Sequence, residues 1–350
     1  MTDRAAKMST AEATPASAAW ARALLLLGLF FLICFGLGYA TLNRYNPAQV
    51  DGTGDSARHY QIVTDGPQQF GMAEHVRGRL LVPYLAKPFY YLARNRLRSW
   101  DAAFFGLLVV NSFFCAATAL ILVFIATRLT ADTVIALLAG CLYLLNYAVT
   151  NFQLAGLVDS AEAFFLLAMV WALLSDRWAW LLPLGLLGAA AKETFVPLAA
   201  TVAIVWLVVE WKSHGRGWRI LCVTLMAVIA LATVTALQSL TRGQLIWPWS
   251  LAGYLGATNN YFASLWRCVS AHEMWYTFGW LVPLGVWNLK RLPKAWVLSA
   301  FAALLVALAL GAYRDTFGSV ARPMFNAAGP LLTLSVAILL AKLAAPLKQH

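Results

Sequence analysis

Charge is what this sequence has least of. Of its 350 residues only 12% are Asp, Glu, Lys or Arg and 61% are hydrophobic, where an ordinary soluble domain carries about 25% charged residues. That shortage excludes a large soluble domain. Acidic groups are scarcer than basic ones, 15 against 26, for a formal net charge of +11. The basic residues form no soluble module, so nucleic-acid binding is not expected. In a membrane chain they fit cytoplasmic anchoring and contact with anionic headgroups or phosphates. Cysteine is sparse too. Cys34, Cys115, Cys141, Cys222 and Cys268 show no paired spacing and four sit in apolar runs, so neither a disulfide framework nor a zinc site is expected. His59 and His75 have no metal-ligand spacing with carboxylates, and neither a metal nor another cofactor is expected. No internal repeat is visible, which weighs against an inverted-repeat transporter.

Long apolar runs are what the chain has in abundance. They predict an all-α polytopic membrane protein of about ten transmembrane helices, at about 19–41, 101–127, 133–150, 161–175, 178–191, 195–210, 219–240, 274–289, 295–313 and 324–343. Residues 1–18, rich in Ala, Ser and Thr, are expected to be a disordered cytoplasmic tail, 19–343 a single transmembrane domain and 344–350 a second tail. The first run is too long for a signal-peptide core and no small-residue cleavage site follows, so it is expected to be retained. Ten spans put both termini on one side. Short basic turns with Arg128, Arg177, Lys212, Arg216, Arg219, Lys290, Arg291 and Lys294 make that side cytoplasmic, although Lys and Arg are nearly evenly divided overall. The expected location is the cell membrane, with outer loops at 42–100 and 241–273.

The longest polar stretch, 51–98, lies in the first outer loop. Asp51, Asp55, Asp65 and Glu74 are followed by Arg77, Arg79, Lys87, Arg94, Arg96 and Arg98. Asp55 or Asp51 suits a general base, taking a proton from a hydroxyl as it attacks; Asp-Gly at 51–52 is equally an ordinary turn. Arg77 and Arg79 suit a phosphate held bidentately or lipid headgroups. Residues 80–93 are apolar but shorter than the ~20 residues of a span, and are interrupted by Pro83, Lys87 and Pro88. They are expected to lie in the interface plane as an amphipathic helix. Further ionisable groups stand at the ends of apolar runs on the same expected face: Asp159, the Lys192–Glu193 pair, and Arg314 to Arg322. Charge near membrane depth is costly unless paired or facing a wet cavity, which makes these functional candidates. Each has a plainer alternative: Asp159 as an N-cap, Lys192 with Glu193 as a snorkelling pair, Arg322 as a helix-end anchor. The aromatic residues of 241–273 suit either stacking on a sugar or an interface belt.

The order of these features resembles the GT-C superfamily of integral-membrane glycosyltransferases, in its bacterial, polyprenyl-phosphate-sugar-dependent type. The matching pieces are Asp55-Ser-Ala-Arg-His-Tyr60 after the first helix and Arg79-Leu-Leu-Val-Pro-Tyr-Leu-Ala86. The helix LVDSAEAFFLLAMVWALL, the end LLGAAAKETFVPLAA and the segment RPMFNAAGPLL follow. The resemblance covers roughly residues 20–340 in order. It implies transfer of a sugar from a lipid-linked donor to an acceptor hydroxyl at the outer face, with inversion. Asp55, with Asp51 as competitor, would be the base. Arg77, Arg79, Lys192 and Arg322 would bind the lipid phosphate, supported by Arg58, Tyr60, Asp159 and Glu193. The partners implied are the lipid-linked sugar donor, membrane lipids and an acceptor glycan, lipid or protein. The chain lacks the adjacent acidic pair common in that loop. The rival readings are a transporter or flippase of a lipid-linked substrate and a non-catalytic scaffold of a polysaccharide-assembly complex. The enzyme requires the four outer clusters to meet in one cavity; the scaffold does not.

Overall fold

The structure is a computed structural model that describes residues 16–42, 55–67, 76–97, 100–212, 215–250, 258–316 and 319–344. Asp51, Glu74, His75, Arg98 and most of both expected tails lie outside the described residues. All regular structure among the described residues is helical. In order it comprises α1 (Ala16–Leu42), α2 (Asp55–Thr64), α3 (Leu81–Ala93), α4 (Ala102–Thr130), α5 (Thr133–Leu144), a π turn (Val149–Gln153) and α6 (Asp159–Leu174). There follow α7 (Leu181–Ala191), α8 (Phe195–Val209), α9 (Arg216–Arg242), α10 (Tyr261–Ser270), α11 (His272–Phe278), α12 (Leu281–Gly285), α13 (Lys294–Arg314) and α14 (Ala321–Ala344).

Five of these, α1, α4, α9, α13 and α14, are long and apolar enough to cross a membrane. At 1.5 Å per residue the others fall short of the ~30 Å hydrocarbon layer. The surface is inverted relative to a soluble protein. Leu24, Leu25 and Leu32 on α1, Leu221 and Val228 on α9, and Leu298 and Leu305 on α13 are exposed, while Arg79, Asp159, Glu162 and Lys192 are buried. Apolar surface of that extent facing outward fits a membrane-embedded chain.

Two groups of helices flank a middle pair. α4 packs on α1, α3 and α5, and α8 packs on α9 and α13. Between them run α6, which touches α4, α7 and α8, and α14, which touches α5, α6 and α13. Asp101 caps α4, accepting from the backbone N–H of Ala103 at 2.9 Å and Phe104 at 3.0 Å. α3 lies against α4 through Val82, Pro83, Ala86 and Ala93 and exposes Tyr84, Leu85, Phe89, Tyr91 and Leu92. It is a helix of 13 residues with one face on protein and the other outward.

Residues 261–270, inside the loop expected at 241–273, are helical, and four other boundaries change for a local reason. Residues 55–64, expected as loop, are helical. Asp55 sits in the first turn, where its charge suits the helix dipole, and Arg58 pairs with it three residues on at 3.0 Å. Ser56, His59, Ile62 and Val63 then make one buried face. The helix expected to reach 150 stops at Leu144. The Asn146 side chain intervenes, accepting from Ala148 N–H at 2.9 Å and donating to the Thr277 carbonyl at 3.1 Å. The helix expected at 274–289 is split into α11, α12 and a 3-10 turn, Val286–Arg291. Pro283 has no N–H for the carbonyl four residues back. Finally, α14 begins at Ala321, so Arg322 lies inside its first turn rather than before it.

Gly106 is where α4 lets α3 approach. A Cβ there would stand 2.6 Å from the Ala86 carbonyl oxygen and 3.2 Å from the Tyr90 nitrogen. Both are backbone atoms and cannot swing aside. Gly106→Ala should therefore cost about 1–3 kcal/mol and lower the unfolding midpoint of the purified protein in detergent. Gly28→Ala, with nothing within 4 Å, should be neutral or slightly stabilising. Equal losses at both positions would contradict this packing.

Candidate functional site

The buried charges meet at one place, where α2, the 76–80 turn, the start of α6, the turn between α7 and α8, and the start of α14 converge. The 192–194 turn organises it. Lys192 ends α7 in an extended conformation (φ −161°, ψ 138°), so Lys192 and Glu193 send their side chains different ways. Lys192 Nζ donates to Asp159 Oδ1 at 2.6 Å and Glu162 Oε2 at 3.2 Å. Glu193 receives Arg79 as a two-pronged fork, Nε to Oε2 at 2.9 Å and Nη2 to Oε1 at 2.5 Å. Arg79 Nη1 also donates to Asp55 Oδ2 at 3.2 Å, and Arg58 to Asp55 Oδ1 at 3.0 Å. Arg322 donates to Asp159 Oδ2 at 3.4 Å and stacks over the Phe152 ring. Four carboxylates, Asp55, Asp159, Glu162 and Glu193, thus face four cations, Arg58, Arg79, Lys192 and Arg322.

The plainer alternatives do not describe these residues. Asp159 is not an N-cap: Val158 holds that position with no side-chain cap, and the Asp159 carboxylate is spent on Lys192 and Arg322. Lys192 and Glu193 are not a mutual pair. Tyr60 stands apart from the ionic cluster, its hydroxyl donating to Asp101 Oδ2 at 3.0 Å and tying α2 to the start of α4. Arg77 is half-buried and is not among the residues lining the cavity described below. Asp51 lies outside the described residues.

Three contributors have no role assigned from the sequence. Glu162 is fully buried and accepts from Lys192, Thr194 and, at 2.8 Å, Asn326 Nδ2. Its position three residues after Asp159, on the same face of a helix start, was the available signal. Asn326 in turn accepts from Gln153 Nε2 at 2.9 Å, and Gln153 accepts from Tyr143 at 2.9 Å, so a polar chain runs from the π turn to Lys192. His59 is the third. It is buried, and neither ring nitrogen has a hydrogen-bond partner among the described residues.

The charges fix protonation states. Burial alone would raise the Asp55 carboxyl, but Arg79, helped by Arg322 and Arg58, brings it below its usual range. Burial likewise opposes ionisation of Glu193, and Arg79 overrides it, lowering the group to about 2. His59 is pushed down to about 3, first by burial and then by Arg79, against the opposing pull of Asp55, Asp159 and Glu193. The imidazole is neutral while both carboxylates are ionised.

Beside this cluster lies a cavity of about 390 Å³. Asp55, Arg79, Lys192, Glu193, Thr194 and Arg322 line its charged end. Val196, Pro197 and Leu198 of α8, Leu231 and Val234 of α9, and Ala307 and Leu310 of α13 form its apolar walls. No protein-family model matches the chain, and no curated protein matches it. The arrangement can hold an amphiphile, with a polar group beside an ionised carboxylate and a hydrocarbon portion between helices.

Removing Arg79 leaves Glu193 and Asp55 without their shared partner. Arg79→Ala should destabilise the protein near the lower end of the ~3–5 kcal/mol for a broken buried pair, since the cavity gives both carboxylates some access to water. Arg79→Lys should restore less than half, because an ammonium cannot reproduce the fork. Chemical unfolding in detergent reads both, and an Arg79→Ala variant as stable as the parent would contradict the network.

Stability should also fall on acidification. His59 has an ordinary value of 6.5 and about 3 when folded, so the unfolded chain binds more protons in that window. Its contribution is complete above pH 6.5 and is lost as pH falls toward 3. Glu193, ordinarily 4.5 and about 2 when folded, acts in the same direction but lower. His59→Gln should flatten the curve between pH 6.5 and 4.5 and leave the steeper loss below it. An unchanged pH profile would show that His59 is not held neutral.

Proposed function

We propose that the chain is a membrane glycosyltransferase of the GT-C type that moves a sugar from a polyprenyl-phosphate donor to an acceptor hydroxyl. The observation that carries this reading is the cavity itself, because one space is lined by Asp55, Lys192 and Arg322, residues drawn from three distant parts of the chain. A scaffold requires no such convergence. The apolar walls suit a lipid chain and the charged end suits its phosphate.

On this reading the acceptor oxygen attacks the anomeric carbon from the face opposite the phosphate. The new C–O bond forms as the bond to the phosphate oxygen breaks, and the electron pair leaves with the phosphate. The acceptor proton passes to Asp55, and attack from the opposite face inverts the anomeric carbon. Arg322, whose one ion pair among the described residues is the 3.4 Å contact to Asp159, is the cluster cation most available to the departing charge. Arg79 and Lys192 act chiefly by holding the carboxylates in place. Arg58 and Glu193 complete the pairs around Asp55 and Arg79. In the accompanying topology, α5, α6, α7, α8 and the broken 272–291 segment are the remaining crossings beside the five long helices. Both termini are then cytoplasmic, and the cavity faces outward. α3 then lies at the interface with its tyrosines at headgroup depth.

Asp55→Asn should lower the turnover of sugar transfer in proteoliposomes by about 10²–10⁴-fold, the usual contribution of a general base, with little change in KM for the lipid donor. Asp51→Asn should retain most activity. Full transfer by Asp55→Asn would exclude Asp55 as the base.

A further inference from the structure

The stretch from the end of α13 to the first turn of α14 carries one acidic and two basic groups, and it sorts them. Asp315 adopts a left-handed conformation (φ 53°), which aspartate tolerates better than most residues. Its carboxylate faces α10, where Ser264 Oγ donates at 2.9 Å and Arg267 pairs with it at 2.8 Å. Arg314 and Arg322, on either side, line the cavity, with Thr316 and Ser319 between them. The carboxylate of this stretch is thus held by α10, while its arginines and two hydroxyl residues are on the cavity.

Two cations outside the ionic cluster line the cavity, Arg242 of α9, whose Nε donates to Gln238 Oε1 at 3.1 Å, and Arg314. The four carboxylates of the ionic cluster are matched by Arg58, Arg79, Lys192 and Arg322. Arg314 is half-buried and makes no ion pair among the described residues. It brings a positive charge to the cavity that the cluster does not neutralise. The walls beside it, Leu231 and Val234 on α9 and Ala307 and Leu310 on α13, offer only apolar surface. A small hydrophilic anion would satisfy the arginine and leave those walls unused. An anion bearing a hydrocarbon chain uses both.

We propose that Arg314 is the principal anion-binding group of the cavity, taking the phosphate of a lipid-linked ligand whose chain lies between α9 and α13. The identification of that anion as a lipid phosphate rests on the glycosyltransferase reading; the anion site itself does not. The assignment moves the main phosphate contact from Arg322, which pairs with Asp159, to a residue outside the ionic cluster.

The test is binding to the full-length protein in neutral detergent, without any sugar transfer. The probes are a polyprenyl monophosphate, the corresponding uncharged polyprenol, inorganic phosphate and phosphatidylglycerol. The parent protein should bind the polyprenyl phosphate at least about tenfold more tightly than the other three, the scale of one charge-assisted hydrogen-bond set. Arg314→Gln should erase the preference over polyprenol, Arg314→Lys should keep most of it, and Arg128→Gln, which alters a cation in the last turn of α4 that does not line the cavity, should leave it intact. Each variant's unfolding midpoint shows whether it folds, and the lysine variant carries the test if the glutamine variant does not. Undiminished preference in Arg314→Gln, loss of it in a folded Arg314→Lys, or no preference in the parent protein would overturn the site. Inorganic phosphate or phosphatidylglycerol binding as tightly would overturn the lipid-linked assignment. Phosphate-selective binding that depends on Arg314, in a protein that transfers no sugar, would uphold the subsite and refute the glycosyltransferase reading.

Discussion

The fork between Arg79 and Glu193 is the contact on which the arrangement of the site depends. It joins the 76–80 turn to the turn between α7 and α8 across 114 residues of sequence. The same guanidinium reaches Asp55 and so fixes the start of α2. The neighbouring residue, Lys192, reaches the start of α6 and, through Asp159, the first turn of α14. Two adjacent residues therefore tie together five parts of the chain. They can do so because the backbone at Lys192 is extended, which sends successive side chains in different directions. A helix continued through 192 and 193 would have placed both on neighbouring positions of one surface.

Such a cluster is a poor source of net stability. Desolvating charges offsets most of their attraction, and an apolar replacement of similar shape often does as well. Its effect is on specificity of arrangement. Once most partners are buried, each unmatched charge is costly, so alternative packings that leave Glu162 or Lys192 alone are strongly disfavoured. The polar chain from Tyr143 through Gln153 and Asn326 to Glu162 extends that constraint into the interior, between α5, α14 and α6. The helices around it are free to present leucine and valine outward because their orientation is set from within.

Much of this was legible in the sequence, though not the pairing. The rule that charge in an apolar chain must be matched or solvated marked Asp55, Arg79, Asp159, Lys192, Glu193 and Arg322, and the structure brings all six to one cluster. The α4, α8, α9 and α13 boundaries followed from apolar length to within a few residues. Pair identity did not follow, because it depends on which helix ends meet. Local adjacency suggested Lys192 with Glu193, whereas tertiary geometry separates them. Glu162 was passed over because it lies inside an apolar run, where a residue reads as helix before it reads as site. The helix at Asp55 to Thr64 was hidden by its polarity. Only one face is buried, and two of its four buried positions are Ser56 and His59, which a hydrophobic pattern does not register.

The state of Asp55 constrains the kind of chemistry the cavity can support. Two guanidinium groups on one carboxylate keep it ionised and oriented, yet the same contacts make it a weak base. A mechanism that needed an alkoxide formed in advance would be poorly served. The proposed transfer does not need one. A phosphate leaves easily, so bond breaking runs ahead of bond making and positive charge builds on the sugar before the acceptor oxygen is committed. The acceptor proton becomes acidic only as its oxygen bonds to that carbon, and a weak base suffices at that moment. Meanwhile an ionised carboxylate beside the sugar and a cation beside the phosphate stabilise opposite ends of the separating charge. The neutral ionic cluster would hold the base, and an arginine outside that cluster on the same cavity would hold the leaving group. Keeping the two apart lets each be tuned without disturbing the other.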